Sequence, residues 1–347
     1  VLPSWLAYLV AGLAIMVVLV NLVLLGAAVF VWAERRLLGR FHNRIGPNRW
    51  GPFGMLQPIA DLVKLLTKED LTPANADRIA FIAVPIVMVM PVILVLAVVP
   101  FAKDTALANL NVGVLYVLAV TSLTSVAIFM AGWSSNNRFA MFGAVRGVAV
   151  LISYEVPVVL CLLGVVLVAG SMSLNDIVSA QTVPFLLVQP LAFFVFFAGT
   201  SAELNRTPFD IAEAESEIIA GYHIEYSGVK FALIQAAEFG AVLTSSAVMV
   251  TLFLGGWSGP FSSYLGWAWF LMKLGVLAFI FSWIRATFPR LRIDQLLAFA
   301  WKFLLPLSII NLFATALEVF FLRDGAGNLD TTDLWIMAGI NFGVAIT

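Results

Sequence analysis

The sequence predicts an all-α integral membrane protein of about eight transmembrane helices, with amphipathic helices in the loops of one face. Three observations carry this. Mean hydropathy is +1.01 and 11% of residues are charged, where soluble domains carry roughly 25%. Apolar runs recur at about 8–33, 80–100, 113–133, 148–170, 184–202, 231–255, 265–285 and 300–322, each near the roughly 20 residues that cross a bilayer as a helix. The charges fall mostly in the gaps, so the chain reads as one membrane domain over 1–347.

The first run carries no charge before Glu34. Without a basic n-region or a small-residue cleavage site it reads as a retained span, not a signal peptide. The loop that follows is basic and ends in GPFGMLQPIADLVKLLTKED. There Leu56, Ile59, Val63 and Leu66 share one helical face, and Gln57, Asp61, Lys64 and Lys68 another. That spacing predicts an amphipathic helix over about 55–68, with Pro58 suited to its first turn. It either lies on the membrane surface or walls a surface cavity with Asp61 facing inward.

Sixteen of the nineteen Lys and Arg fall in alternate gaps, at 34–79, 134–147, 203–230 and 285–302. Those four loops therefore share a side, which the positive-inside rule makes cytoplasmic, with both termini on the opposite face. The tail 334–347 is short for a span and reads as an interfacial segment or an incomplete ninth helix.

The lone cysteine, Cys161, cannot supply the four thiolates of an Fe–S cluster. The two histidines, His42 and His223, have no metal-ligand spacing, and no nucleotide-binding glycine motif occurs. The chain reads as having no metal site, no redox centre of its own and no nucleic-acid partner. No internal repeat is visible, which argues against many secondary transporters.

The loop 203–230 is unusually acidic: Glu203, Asp210, Glu213, Glu215, Glu217 and Glu225 fall in it. Helix capping accounts for part, since Asp210 and Glu213 have capping-box spacing. It leaves Glu217, a like-charged i,i+4 neighbour of Glu213. Glu155 and Glu238 lie inside the fourth and sixth apolar runs, where a carboxylate is costly and normally faces the bundle interior. The acids form either a proton path or a structural network with basic partners such as Arg206, Arg285, Arg290 and Arg292. Lys273 either snorkels or pairs with an acid, and Glu318 is expected to snorkel outward.

Three blocks then carry a resemblance: WAERRLLGRFHNRIGPNRWGPFGMLQPIADLVKLLTKED at 32–70, AELNRTPFDIAEAESEIIAGYHIEYSGVKFALIQAAEF at 202–239, and WIRATFPRLRIDQLLAFAWKFLLP at 283–306. They resemble the cytoplasmic loops of the quinone-site membrane subunits of respiratory complex I, the proton-pumping NADH:quinone oxidoreductase. The resemblance implies a subunit that walls the quinone chamber with peripheral-arm subunits and couples quinone reduction to proton translocation. Quinone is then the substrate, and FMN and the Fe–S clusters belong to partner subunits. The implied chamber residues are Glu34, Arg35, Asp61, Arg206 and Arg285. The implied proton path is Glu155, Glu203, Asp210, Glu213, Glu215, Glu217, Glu225 and Glu238. Implied partners are the peripheral quinone-site subunits, neighbouring small membrane subunits and lipid; the membrane is read as a bacterial inner membrane, with the mitochondrial inner membrane as the alternative. The competing readings are a homologous subunit of a membrane-bound hydrogenase-type complex, a stand-alone ion transporter and a structural anchor.

Overall fold

The computed structural model describes residues 4–103, 105–211, 220–323 and 329–346. Glu213, Glu215 and Glu217 lie outside the described residues, and so does the expected capping box. The described chain is a helical bundle without strands.

Among the described residues seven helices are long and apolar enough to cross a membrane. α1, Ser4–Phe41, leads into α2, Gln57–Thr67, and α3, Arg78–Val98. The third span is split into α4, Gly113–Thr121, and α5, Leu123–Ser134, interrupted at Ser122. α6, Arg138–Ala169, follows. Then come three short helices: α7, Leu174–Ala180, α8, Phe185–Val188, and α9, Pro190–Glu203. α10 is Gly228–Phe253 and α11 is Ser262–Thr287. α12 spans Ile293–Leu322 with a π-helical turn at Ala300–Leu304, and α13 is Thr331–Ile346.

Several boundaries differ from the apolar runs for physical reasons. The expected span 184–202 is broken, because Pro190 has no N–H to continue α8 and Gln189 leaves helical geometry (φ −132°, ψ 67°). The expected loop 134–147 shrinks, because α6 starts at Arg138, where the Asn137 side chain accepts from the Phe139 N–H at 2.9 Å. Arg138 and Arg146 are therefore helical. α6 ends on Gly170 at φ 70°, whose N–H returns to the Val166 carbonyl at 2.8 Å. α1 extends beyond the apolar run to Phe41, which carries Glu34 and Arg35 on a rigid helix.

Burial separates centre from rim. In the apolar window of α10, 67% of residues are buried, and in α6 56%, against 17% in α1. α6 and α10 are central, and the outward face is apolar, with Leu25, Phe320 and Phe321 at least 70% exposed. α13 is not an interfacial tail. It packs on α8, α9 and α12 and buries Leu334, Met337, Ala338 and Asn341.

Two charges away from the basic face behave differently from expectation. Lys273 neither snorkels nor pairs with an acid. Its Nζ donates to the carbonyls of Leu254, Gly256 and Ser258 at 2.7, 3.0 and 2.7 Å, capping the C-terminal end of α10. Glu318 is buried at 8% exposure and accepts from Asn341 Nδ2 at 2.9 Å, so it does not snorkel.

Candidate functional site

Glu34 sits at the centre of the basic face. Near the end of α1 its side chain turns into the bundle at 2% exposure, where Arg206 and Arg285 both donate to Oε1, Arg285 at 2.6 Å. Arg206 follows α9 and also lies 4.7 Å over the Phe239 ring of α10. Arg285 comes from the last turn of α11. One carboxylate thus ties α1, α9 and α11 together. Burying it alone would be prohibitive, and two guanidinium groups make it tenable.

The next residue points elsewhere, as helical geometry requires. Arg35 Nη1 reaches Asp61 Oδ2 on α2 at 2.7 Å. Gln57 Nε2 donates to Asp61 at 3.2 Å and Lys64 lies 3.8 Å away. Asp61 therefore faces α1. The opposite side of α2 is open: Ile59, Val63 and Leu66 are 57%, 54% and 57% exposed. Asp70 anchors the end of this loop to Lys230 at 3.1 Å, and Ser227 Oγ donates to the Glu69 carbonyl at 3.2 Å.

The other acids divide into three groups. Asp210 pairs with Arg290 Nη2 at 2.8 Å, locking the loop after α9 onto the loop before α12. Glu225 accepts from Asn137 Nδ2 at 2.6 Å, and Glu238 accepts from the Tyr222 hydroxyl and from Gln235 Nε2 at 2.9 Å. Tyr226 lies beside this group, stacked on Phe81 at 4.1 Å, and burial pushes its phenol up to about 12. It is neutral at physiological pH. Glu155 and Glu203 line one cavity of about 60 Å³ with Thr121, Ser122, Ser125 and Ser245. That volume accommodates several waters. Thr121, Glu203 and Ser245 also line an adjoining cavity that continues past Thr200 and Thr244 toward Leu174. Glu238, Ala241 and Ser245 follow one face of α10 at i, i+3, i+7.

The structure thus brings Glu34, Arg206 and Arg285 together, and Arg35 with Asp61. It places Glu155 with Glu203, and keeps Asp210 in a separate ion pair. Sequence reasoning missed the donors Asn137, Tyr222 and Gln235 and the hydroxyls around Glu155. The signal for the hydroxyls was present: TSLTS at 121–125 and TSS at 244–246 interrupt otherwise apolar spans. Among the described residues no cluster of three His, Cys, Asp or Glu suits a metal ion.

The described residues thus form a polytopic helical membrane protein whose basic face carries a buried carboxylate between two arginines, with two further acids lining a polar cavity. Comparison with known proteins specifies its family. A family profile described as NADH dehydrogenase matches residues 13–316. The H subunit of the NADH-quinone oxidoreductase of Dehalococcoides mccartyi strain CBDB1 is 52% identical over 332 residues, covering 96% of this chain and 92% of that protein. The H subunits of Anoxybacillus flavithermus and Geobacillus kaustophilus are 45% and 49% identical over 328 and 292 residues, covering 92% and 82% of this chain and 97% and 87% of theirs. The chain belongs to the family of NADH-quinone oxidoreductase H subunits, and is a membrane subunit of that enzyme complex.

Proposed function

We propose that this chain forms one wall of the chamber in which quinone is reduced, with peripheral-arm subunits closing the other side, and that its acids couple that reduction to proton movement. The observation that carries the reading is the Glu34–Arg206–Arg285 cluster. It is a buried charge centre on the basic face, beside an amphipathic helix whose apolar side is open to an isoprenoid or a partner. Quinone reduction consumes protons and changes local charge, and a buried ion triad senses such a change strongly. Glu203 precedes Arg206 by three residues and opens onto the hydroxyl-lined cavity with Glu155. Tyr222 and Glu238 form a second branch toward the same hydroxyl-lined face of α10, and Glu225, held by Asn137, lies three residues along the chain from Tyr222. Glu213, Glu215 and Glu217 belong to the same acidic loop, and Glu217 is proposed in the path from its sequence position.

Quinone is the substrate, and the electrons come from FMN and Fe–S clusters in partner subunits. One cysteine, Cys161, is consistent with that division of labour, because it lies buried in α6. The basic face is cytoplasmic by the positive-inside rule, in a bacterial inner membrane, with the N-terminal end of α1 periplasmic.

The test uses membranes carrying Glu34→Gln, Asp61→Asn or Glu217→Gln. NADH oxidation is assayed with an artificial acceptor that bypasses quinone, then with a soluble quinone. The expected result is intact bypass activity with impaired quinone activity. Equal loss of both would reassign these residues to assembly, and unchanged rates in both would remove them from the mechanism.

A further inference from the structure

The turn after α1 holds a second basic site, which the proposed quinone and proton functions do not use. Arg36, Arg40 and Arg44 line one open pocket of about 360 Å³ with Ile45, Gly46, Asn48 and Phe53, and among the described residues no acid lines it. Elsewhere on this face cations meet carboxylates: Arg35 pairs with Asp61, Lys230 with Asp70 and Arg290 with Asp210. The side chains of Arg40 and Arg44 have no hydrogen bond or ion pair among the described residues. Nor do the backbone N–H groups of Ile45, Gly46 and Asn48 donate to any acceptor there.

The fold holds this pocket in shape. Arg36 Nη1 donates to the Phe53 carbonyl at 2.8 Å, and its guanidinium lies 4.7 Å from the Phe53 ring centroid. Trp32 Nε1 donates to the same carbonyl at 3.1 Å. The chain reverses at Asn43, with φ 52°, and the Arg44 N–H returns to the Gly39 carbonyl at 2.8 Å. The loop then lies tightly on α1: a methyl at Gly39 would be 2.9 Å from the Gly46 nitrogen, and one at Gly46 would be 3.0 Å from the Arg36 Cα. Arg44 is thereby carried back to the pocket of Arg36 and Arg40. Three guanidinium groups, with unbonded N–H groups on residues of the same lining, suit an anion of the phosphate type.

A bare apolar strip of α1 leads up to the pocket. Val18, Leu22, Leu25 and Val29 are 64%, 51%, 70% and 54% exposed. Arg36 and Arg40 follow Val18 and Leu22 by about five helical turns each, so the arginines and the strip share one face. No charge precedes Glu34 in α1, so Arg36 and Arg40 stand where the span leaves the hydrocarbon. We propose that this pocket binds the phosphodiester headgroup of an anionic phospholipid, whose acyl chains lie along Val18, Leu22, Leu25 and Val29. Basic pockets at the cytoplasmic ends of spans recognise such headgroups. A free phosphate or an acidic protein segment would use the arginines and leave the strip uncovered.

The experiment uses the whole complex in phosphatidylcholine vesicles carrying a trace of phosphatidylglycerol with a photoactivatable diazirine in its acyl chain, or a matched phosphatidylcholine probe. Cross-links are mapped by peptide mass spectrometry, and no turnover is needed, so the outcome is independent of the quinone reading. In wild type the phosphatidylglycerol probe is expected to label the strip from Val18 to Val29 in preference to the phosphatidylcholine probe. Unlabelled phosphatidylglycerol should displace it, and millimolar inorganic phosphate should not. The double variant Arg40→Gln, Arg44→Gln is expected to lower the preference about thirtyfold, from the usual hold of two basic residues on anionic lipid. If that variant does not assemble, Arg44→Gln, which lies beyond the helix, carries the test with a smaller loss. Equal labelling by both probes, or an unchanged preference in the variant, overturns the proposal and leaves ordinary surrounding lipid. Displacement by inorganic phosphate overturns it in favour of a free-anion site, and an unlabelled strip overturns it in favour of a protein partner.

Discussion

Glu34 and Arg35 are adjacent in sequence and opposite in energetics. Glu34 is enclosed by two guanidinium groups, and removing a partner from a buried pair costs about 3–5 kcal/mol. Arg35 is 51% exposed and its pair with Asp61 is worth about 0–1 kcal/mol. Thermal unfolding of the assembled complex should therefore drop clearly for Arg206→Ala and hardly at all for Arg35→Ala. A reversed order would mean that partner subunits bury Arg35 and relieve Arg206. Tyr222→Phe takes one donor from Glu238 and keeps the ring. The expected result is an assembled complex with fewer protons moved per electron. Unchanged stoichiometry would show that the hydroxyl serves packing alone.

Helix contacts set how closely the acids approach one another. Gly199 of α9 meets α6 so tightly that a methyl there would overlap Val158 Cγ2. Gly199→Ala should cost about 1–3 kcal/mol through overpacking. Most of that should return in the double variant with Val158→Ala, and if it does not, the clash lies in the backbone. This contact matters because α6 carries Glu155 and α9 carries Glu203. The capped end of α10 offers a second prediction. Lys273→Met leaves three carbonyls without their donor, and each lost bond to a charged group is worth about 1.5–3 kcal/mol. The complex should unfold at lower temperature, with quinone activity per folded enzyme retained.

At the level of the whole molecule, one face gathers the ends of α1 and α11 and the segment after α9, with Arg35, Arg206 and Arg285, and the other gathers the short helices α7 and α8. The single native cysteine, Cys161, is buried at 0% exposure, so a membrane-impermeant maleimide should leave the unaltered chain unlabelled. Cysteines placed at Asn48 and at Lys103, both exposed, should label from opposite sides of the membrane. Labelling from the same side would dismantle the assigned topology. The open apolar side of α2 fits a chain that functions only within its complex.

Much was legible in the residues alone. Apolar runs of bilayer length, basic residues in alternate gaps and the spacing of Leu56, Ile59, Val63 and Leu66 determined a polytopic helical protein with an amphipathic surface helix. Those signals are local, because lipid demands that each helix satisfy its own backbone. The acids were visible as exceptions to an apolar background. Their partners were not, since Arg206 and Arg285 lie 172 and 251 residues from Glu34 and only packing brings them together. Breaks within spans, at Ser122 and at Gln189–Pro190, looked continuous because apolar composition conceals a change of helix axis. Glu318 shows the same limit. Near a helix end it reads as a snorkelling acid, and the folded chain buries it because α13, too short to count as a span, packs across it and supplies Asn341.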